Sequence, residues 1–186
     1  MKPRGRIVSF SSICLGLAAA VFAASIIPRF IANAQDKTAA NDVSPVDGVA
    51  LPEGYRDWKL ISVAHEAGQN NDIRAILGNE IAVKAFREGT RPFPDGTIIA
   101  RLAWEYQSSP RNDAVFPAPQ SFIAGPPTNV QISVKDSKRY ATGDGWGFGQ
   151  FENGRPNMDP GLVQKCHACH AKLGKADDFV FTHYSP

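Results

Sequence analysis

Cys166 and Cys169 are separated by two residues, and His170 follows the second cysteine directly. Because positions three and four apart share one face of a helix, a single helical turn would present both thiols and the imidazole together. Cys-x-x-Cys-His is the attachment signature of a c-type haem, in which the thiols form thioethers to the porphyrin and the histidine ligates the iron. The spacing therefore predicts one covalently bound haem c, with Cys166, Cys169 and His170 as cofactor-binding residues and His170 as the metal ligand.

A Cys-x-x-Cys pair has two other common roles, in a zinc site and in a redox dithiol. Zinc requires four ligands, and the remaining candidates outside the motif are scattered histidines. A redox dithiol would lie between a strand and a helix early in a parallel α/β pattern, whereas this pair lies near the end of the chain. Both are alternatives to haem, and His167, inside the motif, is expected to be a solvent-facing spacer.

The N-terminus has the form of a secretory leader. Three basic residues in the first six positions precede an apolar run at residues 7–27, and Ala32-Asn33-Ala34 provides a cleavage site. We predict a signal peptide over residues 1–34 and a periplasmic location, which suits a protein that receives covalent haem after export. Since the apolar run is long enough to span a bilayer, an uncleaved membrane anchor is the alternative.

Removing the leader changes the charge of the chain. Residues 1–34 hold four of the 20 basic residues and none of the 18 acidic ones, which leaves 16 basic against 18 acidic residues, or a net charge of −2. Without a basic stripe, no nucleic-acid partner is expected. Cys14 also lies in the leader, so the two motif cysteines are the only ones that remain and a disulfide framework is not expected.

The rest of the chain divides into a linker and one domain. Residues 35–50 are polar and small without periodicity, and are predicted to form a flexible linker. The haem domain is predicted over residues 51–186, a length that suits a single core with an enclosed cofactor. Alternating apolar residues and turn signals predict six strands, at residues 57–65, 73–77, 98–106, 130–134, 146–151 and 179–184.

Two helices are predicted among these strands. Asn79 as N-cap and Gly89 as terminator delimit the first, and Asp159 followed by Pro160 starts the second, which carries the haem motif. Residues 110–127 contain several prolines and are predicted to form a long loop. The fold class is therefore α+β, a mainly antiparallel β-sheet with one early helix and a C-terminal haem-attachment helix.

The second axial position of the iron decides what such a haem does. Met158, His65 and His183 are the candidates for a sixth ligand, and none has a sequence context that favours ligation. The alternative is an open iron beneath an apolar lid. The aromatic residues available for that lid are Phe86, Phe93, Phe116, Phe122, Phe148 and Phe151.

Several stretches together carry a family resemblance. They are residues 51–58, 93–97 and 133–139, the strand at Trp146, the haem motif, and residues 179–182. In them the sequence resembles the cytochrome P460 family, including its cytochrome c′-β branch, over nearly all of residues 51–186. The resemblance implies a mainly antiparallel β fold, often dimeric, with a five-coordinate c-type haem held by His170.

The sequence departs from the hydroxylamine-oxidising members of that family at two positions. Arg101 stands where those enzymes have a lysine joined to the porphyrin, and a protonated guanidinium is a poor nucleophile. Gln131 stands where they have a distal carboxylate, and an amide cannot act as a general base. Arg74 matches a distal arginine that could hydrogen-bond an N-oxide, and an ion-paired surface role is its alternative.

These departures set the order of the functional hypotheses. The first is an exported monohaem cytochrome of P460 or c′-β type that binds or redox-converts small nitrogen oxides such as NO. Hydroxylamine oxidation and plain electron transfer are the alternatives, and Arg101 and Gln131 argue against hydroxylamine oxidase activity. The expected partners are a small diatomic or N-oxide ligand, an electron-transfer protein and a second copy of the chain, with membrane contact only through an uncleaved leader.

Overall fold

The computed structural model describes residues 42–185. The predicted signal peptide at residues 1–34 lies outside this range, as do residues 35–41 of the predicted linker at residues 35–50. Within the described residues, no helix is both long enough and apolar enough to cross a membrane.

One antiparallel sheet of six strands, each paired with its sequence neighbour, forms the frame of the molecule. The strands are β1 (Lys59–Glu66), β2 (Asp72–Gly78), β3 (Ile98–Ser108), β4 (Phe122–Lys135), β5 (Trp146–Glu152) and β6 (Arg155–Pro156). Within residues 42–185, three α-helices accompany them: α1 (Glu80–Glu88), α2 (Pro110–Asp113) and α3 (Pro160–His170). The predicted α+β class, with an early helix, an antiparallel sheet and a C-terminal helix, is confirmed.

The caps of α1 follow the sequence pattern. Asn79 Oδ1 accepts the backbone N–H of Ala82 at 3.0 Å and that of Ile98 at 3.2 Å, while its Nδ2 donates to the carbonyl of Gly96 at 2.8 Å. Gly89 ends the helix in the left-handed region, with φ of 64°. Asn79 thus joins the start of α1 to the start of β3.

We expect the Asn79→Ala substitution to lower the free energy of unfolding by about 1–2 kcal/mol, because it removes an N-cap and leaves backbone N–H groups without an acceptor. Urea unfolding followed by circular dichroism measures the change. Asn79→Asp keeps the acceptor oxygen and is the control, with a smaller loss expected. Equal stability of the alanine variant and the wild type would contradict this role for Asn79.

The two faces of the sheet bury different clusters. The face that packs on α1 and α3, here called the α3 face, contributes Ile76, Ile99 and Phe148 to a core that also holds Val163 of α3. The opposite face contributes a second cluster, which is covered by the segment before β1 and by Tyr140. Its buried members are Val49, Leu77, Ala100, Leu102, Ile132, Tyr140 and Phe151.

The predicted long loop at residues 110–127 is wrong in both halves. Its first half contains α2, and β4 already begins at Phe122. Prolines are tolerated in a strand only where a ladder hydrogen bond is missing. Here the β3–β4 register shifts around Trp104, which faces Pro127, so the irregularity accommodates the proline.

The predicted strand at residues 179–184 is also wrong. This segment follows two short 3₁₀ turns, Ala171–Leu173 and Lys175–Asp177, and pairs with no strand of the described chain. Asp178 and Phe179 have φ values of 45° and 63°, which are incompatible with an extended ladder. The segment instead folds back so that Phe179 and Val180 are buried.

Packing begins before the predicted domain start at residue 51. Ser44 and Val49 are both buried, and a bridge joins Val43 to Ala50. Ser44 Oγ also donates to the carbonyl of Phe148 at 3.0 Å. The last residues of the predicted linker therefore belong to the folded domain.

Candidate haem site

Helix α3 presents the Cys-x-x-Cys-His motif from a fixed position. Asp159 Oδ1 accepts the N–H of Gly161 at 2.8 Å and caps the helix ahead of Pro160. Val163 is 1% exposed and anchors the helix in the core. Cys166 lies one turn further on and packs against the same cluster, whereas Cys169 is exposed. Both thiols are free, as thioether formation requires.

The imidazole of His170 is oriented by a backbone carbonyl. Nδ1 of His170 lies 2.6 Å from the carbonyl oxygen of Phe179, and since a carbonyl only accepts, Nδ1 carries the proton and Nε2 keeps its lone pair. Burial lowers the pKa of His170, which favours the neutral form that ligates metals. The rings of Phe148 and Phe181 pack on it, with centroids at 4.5 and 5.0 Å.

The surroundings of the thiols disfavour the two alternative roles of the motif. Burial, together with Cys169 and Asp47, raises the pKa of the Cys166 thiol, whereas redox dithiols depend on a lowered thiol pKa. Within residues 42–185, no group of three or more His, Cys, Asp or Glu side chains is arranged to hold a metal ion. Neither observation favours a redox or zinc role for the cysteine pair.

His167 differs from its predicted role as a solvent-facing spacer. Its Nε2 lies 2.8 Å from Asp47 Oδ2, and its side chain is only 25% exposed. The same carboxylate oxygen accepts the backbone N–H of Phe148 at 2.7 Å. His167 therefore ties α3 to the segment before β1 and to β5.

Arg74, Arg101 and Gln131 lie on the α3 face of the sheet. Arg101 pairs with Ile76 on one side and with Gln131 on the other, and Arg74 is two residues from Ile76 on the same strand. Because alternate residues of a strand share a face, all three lie on the face that Ile76 shares with α3. The structure therefore brings these three positions together on the side of the sheet that packs on Cys166.

Asp72 joins the two arginines, and sequence reasoning missed it. Its Oδ2 accepts Arg101 Nη2 at 2.6 Å, its Oδ1 accepts Arg74 Nε at 2.5 Å, and its side chain is 6% exposed. Arg74 also pairs with Glu66, and Arg101 Nη1 donates to Asn129 Oδ1 at 2.8 Å. The alternation of β2 could have revealed Asp72, because it lies two residues before Arg74.

Arg101 retains an unused donor in this cluster. Its Nε is buried and has no hydrogen-bond partner in the described structure. Burial, followed by the charge of Arg74, lowers the pKa of Arg101, while Asp72 and Glu66 raise it. A guanidinium remains protonated in proteins, so this N–H is a donor left for a group bound over the α3 face.

Gln131 is a neutral partner beside this charged cluster. Its Nε2 donates to Gln150 Oε1 at 2.7 Å across the β4–β5 pair. The amide can donate and accept hydrogen bonds, but it cannot exchange a proton with a substrate.

The candidates for a sixth ligand lie away from this face or in solvent. Met158 is 56% exposed, and His183 is also exposed. His65 pairs with Ile73, on the face opposite Ile76, and stacks on Tyr106 with a centroid distance of 3.9 Å. None of these three side chains is held in the core beside His170.

The six phenylalanines considered for an apolar lid do not form one. Phe86 and Phe93 pack in the core beneath α1, Phe151 lies in the cluster on the opposite face, and Phe116 and Phe122 are exposed. Of the six, only Phe148 packs on the ring of His170.

A cavity of about 700 Å³ adjoins α3. His167 and His170 line it, together with Trp146 and Phe148 of β5 and Phe179 of the C-terminal segment. Neither motif cysteine lines it, and neither do Arg74, Arg101 and Gln131. The cavity therefore reaches the imidazole of His170 but does not include the thiols or the polar cluster.

The donor set suits covalent haem. Two free thiols and an imidazole with an available Nε2 lie on one helix, and an unpartnered guanidinium N–H lies on the facing sheet.

No curated protein matches the sequence. The model of the family Cytochrome P460 matches residues 52–182, which is well over half of the chain and contains β1 to β6 and the motif helix. The chain belongs to the cytochrome P460 family.

Proposed function

We propose that the protein is an exported monohaem c-type cytochrome of P460 or c′-β type that binds or redox-converts small nitrogen oxides such as NO. One observation carries the proposal: His170 is available as an axial ligand, while Met158, His65 and His183 are exposed or lie on the wrong face. When bound, the haem supplies an iron with an open coordination position for a diatomic ligand and a centre for electron exchange.

Cys166, Cys169 and His170 would hold this cofactor. The thiols would provide two thioether bonds and His170 Nε2 the iron–nitrogen bond. The hydrogen bond from His170 Nδ1 to the carbonyl of Phe179 increases the basicity of the imidazole, which strengthens it as a ligand.

Arg74, Arg101 and Gln131 would supply hydrogen bonds rather than proton transfer. Three of the five N–H groups of Arg74 contact Glu66 or Asp72, so donors remain for a bound N-oxide. Gln131 and Arg101 lack the basic and nucleophilic groups that the hydroxylamine-oxidising relatives use. This supports binding or redox conversion of NO over hydroxylamine oxidation.

The leader and the motif together support export to the periplasm, where an electron-transfer protein would be the redox partner. We also propose a homodimer, as in many members of the family. An uncleaved leader would add a membrane anchor.

We expect the dithionite-reduced holoprotein to bind carbon monoxide, because Met158 and His183 are exposed and His65 lies on the face opposite Ile76, so none of the three candidate ligands is held in the site. The measurement is the shift of the Soret band on adding carbon monoxide. The shift should be complete when every haem has bound one carbon monoxide. The oxidised protein is the control, since ferric haem does not take up carbon monoxide. A reduced spectrum with sharp low-spin bands that carbon monoxide leaves unchanged would contradict the proposal and favour a six-coordinate electron carrier.

A further inference from the structure

One partner of a buried ion pair immediately precedes, in the sequence, the residue whose carbonyl orients His170. Lys135, at the end of β4, places Nζ 2.8 Å from Asp178 Oδ1, and the two side chains are 8% and 5% exposed. Asp178 immediately precedes Phe179, whose carbonyl accepts the proton of His170 Nδ1 at 2.6 Å. The pair therefore acts one residue away from the contact that fixes the imidazole.

Asp178 is held from two separate parts of the domain. Besides Lys135, its Oδ2 accepts the backbone N–H of Phe93 at 2.8 Å. Lys135 is held in turn, because its Nζ lies 5.2 Å from the ring centroid of Trp146, which is 1% exposed. Any displacement of Asp178 would require these packed groups to move as well.

The backbone at this point needs such support. Asp178 and Phe179 are successive non-glycine residues with positive φ, 45° and 63°, a conformation that costs energy for a residue with a side chain. A buried ion pair contributes little net stability compared with apolar residues of the same volume, because both charges lose their hydration. Local positioning explains the pair better than overall stability does.

The geometry points to Lys135 and Asp178 as positioning residues that hold the Phe179 carbonyl against His170 Nδ1 and so set the strength of the iron–histidine bond. This inference rests on the proposed haem ligation by His170. A strong hydrogen bond to Nδ1 increases ligand basicity, strengthens the bond to iron and stabilises the oxidised state. A loosened carbonyl has the opposite effects.

The test compares the wild-type holoprotein with two variant holoproteins, K135M/D178N and D178N. The double variant removes both charges and keeps a side-chain oxygen that can accept the Phe93 N–H. Resonance Raman spectroscopy of the reduced protein gives the iron–histidine stretching band, and a redox titration gives the reduction potential. Both variants are expected to shift the band to lower wavenumber and to raise the reduction potential. D178N alone therefore still tests the inference if the double variant fails to fold.

D113N is the matched control. Asp113 also accepts a backbone N–H, that of Gln120 at 2.9 Å, but its hydrogen-bond partners are Ser108, Gln120 and Ser121, none of which contacts Lys135 or Asp178. D113N is expected to leave the band and the potential unchanged. A folded Lys135 or Asp178 variant with wild-type band and potential would overturn the inference. A wild-type protein without an iron–histidine band would instead refute the proposed haem ligation, so the two failures are distinguishable.

Discussion

We expect the C166S/C169S variant to lose all covalently bound haem, whereas the wild-type protein should keep one haem per chain after denaturation. Serine hydroxyls do not form the thioethers that the motif provides, and the two thiols are the only ones in residues 42–185. Mass spectrometry under denaturing conditions measures the result directly, on protein produced in a host that attaches c-type haem. Each single variant should retain one bond and be intermediate in yield.

C14S is the matched control for this experiment, because Cys14 is a cysteine outside the motif. It should leave the haem content unchanged. Because a thiol adds to a vinyl group without losing atoms, the intact mass should equal that of the polypeptide plus one haem. A further bond from a side chain to the porphyrin ring would replace a hydrogen and lower this mass, and we do not expect one, since Arg101 is not a nucleophile. Haem that stays attached to C166S/C169S, or a colourless wild-type protein, would refute the covalent site.

Local signals predicted the elements whose geometry is decided within a few residues. The Asn79 cap and the Gly89 terminator bound α1 as expected, and Asp159 with Pro160 starts α3. The alternation of apolar residues predicted the strand at residues 98–106, which the structure contains as β3. In each case the information lies in one short window of sequence.

Contacts between distant residues could not be predicted in this way. The fold of residues 179–184 depends on positive φ at Asp178 and Phe179, which burial and the Lys135 ion pair make tolerable. Propensity alone favours a strand for that apolar segment. Likewise, β4 continues through Pro127 because the register with β3 is irregular there, a property of the strand pair rather than of either sequence.

The polar cluster on the α3 face is the clearest example of a site that needs tertiary information. Asp72 lies just before the predicted strand at residues 73–77 and carries no motif. Its carboxylate nevertheless contacts two guanidiniums, whose positions are decided by the register of β2 with β3. The sequence indicated Arg74 and Arg101 as separate candidates. Only the fold shows that one buried acid pairs with both.

We therefore expect D72A to be among the most destabilising substitutions in the domain. It leaves Arg101 without its counter-ion and Arg74 with Glu66 alone, in a site where the side chains of Arg74 and Arg101 are 16% and 15% exposed. Breaking a buried pair by removing one partner costs about 3–5 kcal/mol, because the remaining charge stays buried and unpaired. Urea unfolding of the holoprotein measures the loss.

D113A is the control for the loss of a carboxylate. Asp113 accepts the backbone N–H groups of Gln120 and Ser121 at the surface, without an arginine partner, so its removal should cost much less. Adding R101M to D72A removes one unpaired charge while keeping most of the side-chain volume, and should recover part of the stability. If D72A is no less stable than D113A, or if R101M destabilises D72A further, Asp72 does not serve as the counter-ion of this cluster. Arg101 would then be held by packing and by Asn129 alone, and its guanidinium would be free to move toward a bound ligand.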